Sequence, residues 1–569
     1  MARKPANGED ELVFLALGGL GEIGMNAYLY GVGAKKSRKW LMVDLGITFP
    51  GEGEPGVDVV LPDLRFIEAQ RDALAGIVIT HAHEDHIGAV IELWPSLQVP
   101  IYATPFTVGM LRAKLAQFGG QMAIEINEIP VGGRFQAGPF DVELVSMAHS
   151  IPETSGLILR TSVGTALHTS DWKIDPEPMT GEPTDAAKLQ ALGAEGVHAM
   201  ICDSTNALRE GISPSESKVA RSLTEIIKKA THRVAVTTFA SNVGRVKAVA
   251  EAATASGRQL VVAGRALHRV IEVAKETGYL PEKLQYLDQQ EFKYIDRSDV
   301  VLLLTGSQGE SRAAMARVAD NEHPDIQLSK GDLVIFSSRN IPGNEKAVGR
   351  IQNKLAQIGC DVLTDNEALV HVTGHPRRDE LKQLYSWIKP EVAVPMHGEA
   401  RHLREHARLA TNAGVPQVVS PLNGDIVRLA PQPAEILENV PTSRLYRDGR
   451  LIIPAEEGPV RERRKLSVVG IVVVSIALSR RGIMIGEADL AMDGIPFVTE
   501  DGDAMEDVAL DAVDATMASI PVARRKDHEM VRDAVRRAVR SSIYEEWGKK
   551  PIVKVLLHVI DQQSAPRSK

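Results

Sequence analysis

Residues 76–90 read GIVITHAHEDHIGAV, with three histidines and an aspartate inside six positions directly after an apolar run. His81 and His83 are two apart, so on extended backbone leaving a strand they lie on the same side. Asp85 and His86 then fall on the following turn or first helical residues and point elsewhere. One short loop can thus serve two neighbouring ions. Imidazole and carboxylate both suit zinc, and four ligand-type residues in the order H-x-H-x-D-H read as a metal site rather than a polar loop with local hydrogen bonds. Glu84 reads as a residue behind the ligands or facing solvent.

Completing two coordination shells requires partners from elsewhere. SMAHSIPE offers His149, LHTSDWK offers Asp171 with His168 close by, and VPMHGEA offers His397. Any one could be an ordinary side chain, but all three follow apolar β-like runs, as the loop at 81–86 does.

The elements that must position them are legible in outline. The N-terminal part reads as short strands and turns (LVFLALGG, NAYLYGV, KWLMVDLG, AGIVITHAH, VPIYAT), then a helix near 106–118, the strand FDVELVSMAHS and the pair GLILRTSVG and TALHTSD. From about 206 helices and strands alternate, as in a parallel sheet. Histidines return at strand ends near 366–400. The expected division is 1–205 and 366–450 for one strand-rich domain, 206–365 for an inserted α/β domain, 451–465 for a linker and 466–560 for a small α/β domain. That last domain includes a helix over 523–547 with a basic face. The greasy run LSVVGIVVVSIAL (466–478) is too short to span a bilayer and reads as a buried strand. The tail DQQSAPRSK reads as disordered.

GGLGEIG (18–24) matches G-x-G-x-x-G, and Asp44 follows Gly24 by 20 residues, which imitates a dinucleotide-binding fingerprint. That site needs a helix directly after the glycines. MNAYLYGVG alternates like a strand instead, so a glycine turn between two strands, bordering an active site, is preferred.

The 569 residues suggest roughly three or four domains. Two cysteines, Cys202 and Cys360, argue against a disulfide framework and fit a reducing cytoplasm. No secretion signal is visible in MARKPANGEDELVF, and no membrane association is expected. A net charge of −9 weighs mildly against a nucleic-acid partner, although a local field at a cleft can oppose the total.

The H-x-H-x-D-H loop, a downstream histidine and an aspartate after a strand resemble the metallo-β-lactamase fold. CDSTNA (202–207), VTGH (372–375) and MHGE (396–399) look like the motifs of its β-CASP nucleic-acid-processing branch. GGLGEIGMN, TTFASNVGR, TGSQGE, IPGNE and HVTGH together are similar to the bacterial ribonuclease J family, from about residue 11 to 450 and on through the C-terminal domain. The resemblance implies an αββα sandwich of α/β class, with an inserted β-CASP domain and a small C-terminal α/β domain. It also implies two Zn²⁺ per subunit. His81, His83 and His149 would hold one, Asp85, His86 and His397 the other, and Asp171 would bridge. Asp203 and His375 match the branch's acidic and histidine motifs. Ser170 stands where glycine is common, Gly244 where histidine is frequent and Ser311 where proline is usual. None of the three is a metal ligand, so they put groove details in doubt and not the chemistry.

Two zinc ions bring +4 and Asp85 and Asp171 return −2, so a cationic pocket survives inside an acidic protein. Such a pair, with Asp85 among its holders, can activate water against a phosphodiester. His375 is the candidate general acid for the leaving 3′-oxygen, and Asp203 could orient it. FASN (239–242) and HVTGH (371–375) carry small hydroxyl and amide groups suited to phosphate. By resemblance, RNA contacts are carried to Ala240, Ser241, Asn242, His371, Val372, Thr373, Gly374 and His375. The expected function is a cytoplasmic, zinc-dependent ribonuclease, a 5′→3′ exonuclease that also cuts internally, in mRNA decay and rRNA maturation. Its expected substrate is single-stranded RNA with a 5′-monophosphate, and a homodimer or homotetramer is expected. A further structural divalent cation could sit near the acidic loop GEGEPGVD (51–58). A DNA nuclease of the same branch and a non-catalytic RNA scaffold are the alternatives, as is, less favoured, a small-molecule thioester or lactam hydrolase on the same fold.

Overall fold

The computed structural model describes residues 10–119, 123–341 and 343–560. The chain forms two compact units, Met1–Phe49 with Val59–Leu445, and Pro50–Asp58 with Tyr446–Lys569.

The larger unit is built on two sheets. One has eight strands and runs from Glu435–Asn439 through Asp425–Ala430, Glu11–Gly18, Ala27–Gly33, Lys39–Val43, Leu74–Val78 and Ile101–Ala103 to Ile126–Glu128. The other has seven and includes Val392–Met396, Ala199–Asp203, Thr165–His168, Ser155–Arg160 and Phe140–Ser146 side by side. Leu12, Phe14, Tyr30 and Leu41 of the first sheet meet Leu144, Leu157, Ile201 and Val394 of the second in one buried cluster. The alternate residues Val13, Leu15 and Leu17 join a different cluster with Ile87, Val90 and Phe106. Both faces of Glu11–Gly18 are therefore covered, which is why LVFLAL is continuously apolar rather than alternating. Helices Ala186–Glu195 and Arg378–Ile388 cover the outer face of the second sheet through Leu189, Leu192, Leu381 and Leu384. This is the αββα sandwich.

A third, six-stranded sheet carries the expected helix–strand alternation. Its order is Leu287–Asp288, Gln259–Ala263, Val300–Leu304, Val234–Thr237, Leu333–Phe336, Asp361–Leu363, and every pairing is parallel. The chain leaves the sandwich after Ala199–Asp203 and returns in Val392–Met396. These two strands pair in parallel, with Asp203 opposite Met396. Residues far apart in sequence thus end on adjacent strand tips.

In the smaller unit, Asp489–Asp493, Ile471–Ser479 and Ile552–Ile560 form a three-stranded sheet. Val472, Val474, Ile476 and Leu478 pack with Val513 of helix Met505–Ser519 and Val531, Val535 and Val539 of helix His528–Trp547. Three expectations are corrected here. The stretch 451–465, read as a linker, holds strand Leu451–Pro454 and most of helix Gly458–Val469. The greasy run at 466–478 is not one strand. Its first residues finish that helix, and Gly470, at φ 62°, ends it. The strand that follows is buried on one face only. The helix expected over 523–547 begins at His528, after a 3₁₀ turn over Val522–Lys526, because Asp527 caps it by accepting from Met530 N at 3.1 Å. On its basic face Arg532 pairs with Glu529 and Arg536 with Asp533, as a solvated helix face does. The tail DQQSAPRSK lies outside the described residues.

Candidate metal centre

Most of the ligand-type residues stand just past the C-terminal end of a strand. His81 and His83 follow Leu74–Val78, His149 follows Phe140–Ser146, Asp171 follows Thr165–His168 and His397 follows Val392–Met396. His83 keeps extended backbone as the N-cap of the short helix Glu84–Ile87, which turns Asp85 and His86 away from it. The two halves of the loop therefore serve two sets of ligands.

In the first set, His81 Nε2 and His149 Nε2 each lie 3.1 Å from His83 Nδ1. Asp171 Oδ2 is 3.7 Å from His81 Nε2 and 3.5 Å from His149 Nε2. In the second, His86 Nε2 is 3.6 Å from Asp85 Oδ2 and 3.4 Å from Asp171 Oδ2, and His397 Nε2 is 3.1 Å from Asp85 Oδ2. Each set is a four-residue ligand cluster, and Asp171 is common to both. A tetrahedral zinc site with bonds of about 2.0–2.2 Å has ligand–ligand edges of roughly 3.3–3.6 Å. The observed spacings bracket that range, so the residues fit a divalent cation in each set. Asp171 Oδ1 is buried with no hydrogen-bond partner, as a carboxylate held for a cation would be.

The outward nitrogens are held. His86 Nδ1 lies 2.7 Å from Asp44 Oδ2, His149 Nδ1 2.6 Å from Gly374 O, and His397 Nδ1 2.8 Å from Thr205 Oγ1. His81 Nδ1 lies 3.1 Å from Thr80 Oγ1 and 3.3 Å from Ser170 Oγ. Such contacts fix tautomer and ring direction, leaving Nε2 for the ion. Asn26 Nδ2 donates to the main-chain oxygen of Asp85 at 3.0 Å. Asp44, Ser170 and His397 all have left-handed backbone, at φ 61°, 55° and 50°. That conformation is costly away from glycine and clusters at functional sites. Glycine would adopt it at the position of Ser170 without that cost.

The charge balance also calls for cations. Burial opposes protonation of His86, but the Asp171, Asp85 and Asp44 carboxylates outweigh it and raise its pKa to about 10. Burial likewise disfavours charge on His397, yet Asp171, Asp203 and Asp85 hold its pKa well above the ordinary value. Burial lowers His83 to about 4. The neutral His81, His83 and His149 side stands ready to coordinate, and the carboxylates face a site that draws positive charge.

His375 stands at the rim of the two sets. Its Nδ1 is 2.7 Å from Asp203 Oδ2, and its Nε2 is 3.9 Å from Asp171 Oδ2. Burial works against its charge, but Asp203 and Asp171 raise its pKa above the ordinary value. A protonated imidazole aimed past Asp171 is suited to give up a proton there.

The residues expected to touch substrate have mixed surroundings. Asn242 is buried, and its Oδ1 accepts from Arg245 N at 2.9 Å to cap helix Val243–Ala255, beside partly buried Ala240 and Ser241. Val372 belongs to the core. Thr373 Oγ1 accepts from Asn206 Nδ2 at 2.7 Å, and Gly374 O holds His149. The His371 ring has a buried Nδ1 without a partner. Glu84 pairs with Lys114 at the surface, and His168 bonds Tyr30 OH at 3.0 Å outside both ligand sets. In the acidic loop, Glu54 accepts from Gly51 N and Tyr446 OH and Asp58 from Gly449 N. Among the described residues no ligand cluster includes this loop; the third cluster, Asp171, Asp203, His375 and His397, lies beside the other two.

Sequence reasoning missed Asp44 and Thr205 as holders of ligand histidines. Asp44 entered only through the nucleotide-binding pattern, which the structure replaces with a turn. Gly19, Gly21 and Gly24 all have positive φ, strand Ala27–Gly33 follows, and Gly19 O accepts from His397 N at 2.9 Å. The position of Asp44 just after KWLMV, like those of Asp171 and His397 after their strands, was the available signal.

Comparisons with known proteins agree with this architecture. Residues 54–195 match the beta-lactamase superfamily domain and 231–355 the ribonuclease J beta-CASP domain. Residues 360–421 match the Zn-dependent metallo-hydrolase RNA specificity domain and 458–560 the ribonuclease J C-terminal domain. The chain is 52% identical to ribonuclease J of Sinorhizobium meliloti over 96% of its own length and 97% of that protein. It is 38% identical to ribonuclease J of Mycolicibacterium smegmatis over 95% of each. A crystal structure of a protein of unknown function from Enterococcus faecalis V583 shares the fold at TM-score 0.52 and 16% identity, covering 74% of this chain and all of the other.

Proposed function

Because the chain belongs to the ribonuclease J family, we propose that its paired ligand sets serve hydrolysis of RNA phosphodiester bonds. It is a metal-dependent ribonuclease of metallo-β-lactamase fold. The observation that carries the catalytic reading is the sharing of Asp171 by two four-ligand sets, with the Asp203–His375 pair at their rim. Zinc is the metal to which the matched domain and the imidazole–carboxylate ligands point. Two ions per subunit would be held by His81, His83 and His149 and by Asp85, His86 and His397, with Asp171 between them. Bound there, divalent cations supply Lewis-acid polarisation of a phosphodiester and lower the pKa of water. The chain's own residues do the rest. Asp44, Gly374, Thr205 and Thr80 keep the ligand rings in register. Asp203 fixes the proton on His375 Nδ1, so that Nε2 can deliver its proton to the leaving 3′-oxygen.

The same reading includes cutting in the 5′→3′ direction from a 5′-monophosphorylated single strand, with internal cuts as well, in mRNA decay and rRNA maturation. It places the protein in the cytoplasm as a homodimer or homotetramer. Among the described residues no helix is long and apolar enough to cross a membrane. It also divides the chain into the sandwich over 1–205 and 366–450, the inserted domain over 206–365 and a C-terminal domain after 450. The backbone around Ala240, Ser241 and His371–His375 would receive RNA phosphates. Digestion of end-labelled RNAs bearing 5′-monophosphate, triphosphate or hydroxyl, with a DNA strand of the same sequence and with and without chelator, tests this reading. Chelator-sensitive decay of RNA, fastest for the monophosphate, is expected. Equal rates for all three ends would remove the 5′-phosphate preference, and chelator-resistant cutting would remove the metal role.

A further inference from the structure

One end of the smaller unit gathers positive charge from two turns. Strand Ile471–Ser479 leads into SRRGI (479–483), and helix Met505–Ser519 leads into the 3₁₀ turn Val522–Lys526, VARRK. The two turns touch. Gly482 has φ 79°, and a Cβ built on it would lie 2.6 Å from Val522 O and 3.2 Å from Arg525 Cβ. Gly482 N donates to Ser479 O at 2.8 Å and closes the first turn. Arg524 N donates to Pro521 O at 2.8 Å and closes the second. The turn that carries Arg481 therefore rests against the one that carries Arg524, Arg525 and Lys526.

No acid balances them locally. Neither 470–486 nor 515–526 contains an aspartate or glutamate. Asp527, the next acid, caps helix His528–Trp547. Arg525 is engaged within the domain: its Nη2 donates to Met517 O at 2.6 Å and its Nε to Ile520 O at 2.9 Å, which satisfies the end of the preceding helix. Arg481, Arg524 and Lys526 are exposed, and among the described residues none of the three has a carboxylate at salt-bridge distance. Arg532 and Arg536 on the nearby helix are each paired with an acid. Within a chain of net charge −9, this end carries a local field of the opposite sign.

Cations held on two packed turns repel one another, and a chain of phosphates laid across both offsets that repulsion. Guanidinium groups pair with phosphate through parallel N–H donors. Exposed Ile483 and Val522, on the same two turns, give unstacked bases an apolar surface.

We propose that Arg481, Arg524 and Lys526 form a second holding site for the RNA strand, on the unit that carries none of the metal ligands. The proposal rests on the ribonuclease reading above. Phosphate contacts carry no base information, so the site selects for length and not for sequence. A strand of a few nucleotides is used up at the metal centre, whereas a longer one has backbone left over to reach the second site.

The test uses the full-length, metal-loaded protein and 5′-monophosphorylated RNAs of about six and about forty nucleotides, since single-strand sites span about 4–16 nucleotides. Affinity across a salt series, KM, kcat and molecular mass in solution are measured for the parent, for Arg481→Gln/Arg524→Gln/Lys526→Gln and for Arg481→Lys/Arg524→Lys. For the long RNA, the glutamine variant should lose about 0.7 from the slope of log K against log salt for each phosphate contact removed, and bind at least about ten-fold more weakly at 0.1 M salt. Cutting of the short RNA should be unchanged, and the lysine variant should keep the parent's slope. An unchanged slope and affinity for the long RNA, with the parent still cutting, would overturn the site and leave the ribonuclease reading intact. Equal loss on short and long RNA would also overturn it. A lower molecular mass in the glutamine variant would assign this end to contact with a second copy of the chain and overturn it as well. Failure of the parent to cut either RNA would sink the ribonuclease reading, and the second site with it.

Discussion

Asp44 Oδ2 sits 2.7 Å from His86 Nδ1, fully buried, and also accepts from Thr80 Oγ1 at 2.9 Å. One carboxylate thereby fixes a ligand ring and the residue that opens the metal loop. Removing a partner behind a ligand histidine typically weakens metal binding 10–100-fold. Asp44→Asn should therefore lower affinity for the ion held by Asp85, His86 and His397 by about that factor. Competition with a chromogenic chelator measures it, and unchanged stoichiometry and affinity would count against the assignment.

Gly374 presses its backbone on His149. A Cβ built there would lie 2.6 Å from the imidazole. Gly374→Ala should displace the ring and cost metal at the His81, His83 and His149 set, with nuclease activity falling in proportion to lost zinc. Elemental analysis beside turnover checks this. Full zinc content in the variant would refute it.

The Asp203–His375 pair is expected to act on the chemical step. His375→Ala should reduce kcat about 10²–10⁴-fold with zinc content retained. Asp203→Asn should act in the same direction, because it removes the acceptor that fixes the imidazole. Single-turnover rates at saturating RNA separate this from binding. A change confined to KM would rule out proton donation.

His406 gives a pH signature away from the metal ligands. It is buried between Ser204 Oγ at 2.8 Å and Tyr385 OH at 2.9 Å, and burial lowers its pKa to about 4. The unfolded chain binds this proton near 6.5, so the folded state loses stability as pH falls from about 6.5 to about 4. The contribution is on the order of 3 kcal/mol, present in full above that window. His406→Gln should flatten the decline of denaturant stability between pH 7 and 4 by about that amount relative to the parent. Parallel curves would disprove the buried neutral state.

Removing the ions should cost stability as well as activity, because Asp85, Asp171 and Asp203 then share one buried region. A chelator should lower Tm, and added zinc should restore it in a concentration-dependent way. An identical Tm with and without chelator would show that the ligand sets bind no ion in the folded protein.

Much of the site was legible because ligand chemistry is local. H-x-H-x-D-H needs only a strand end and one helical turn to face two ways, and His149, Asp171 and His397 each advertised themselves by following an apolar run. The linker expected at 451–465 failed for an equally local reason. A charged run such as RERRK reads the same on a solvated helix as in a connector, and only packing tells them apart: Val460 is buried within helix Gly458–Val469.

The sequence by itself determined the ligand-type residues and the alternation that makes the sheets. Residue type and period are enough to say what can coordinate a cation and what must be buried. Only the tertiary structure decided which of them stand together and what holds them. The parallel pairing of Ala199–Asp203 with Val392–Met396 brings Asp203 and His397 together despite the long insertion between them in sequence. The left-handed turns at Asp44, Ser170 and His397 aim side chains that spacing alone leaves undirected. Distance along the chain carries no information about such contacts, because they are set by the register of strands that close around a common core.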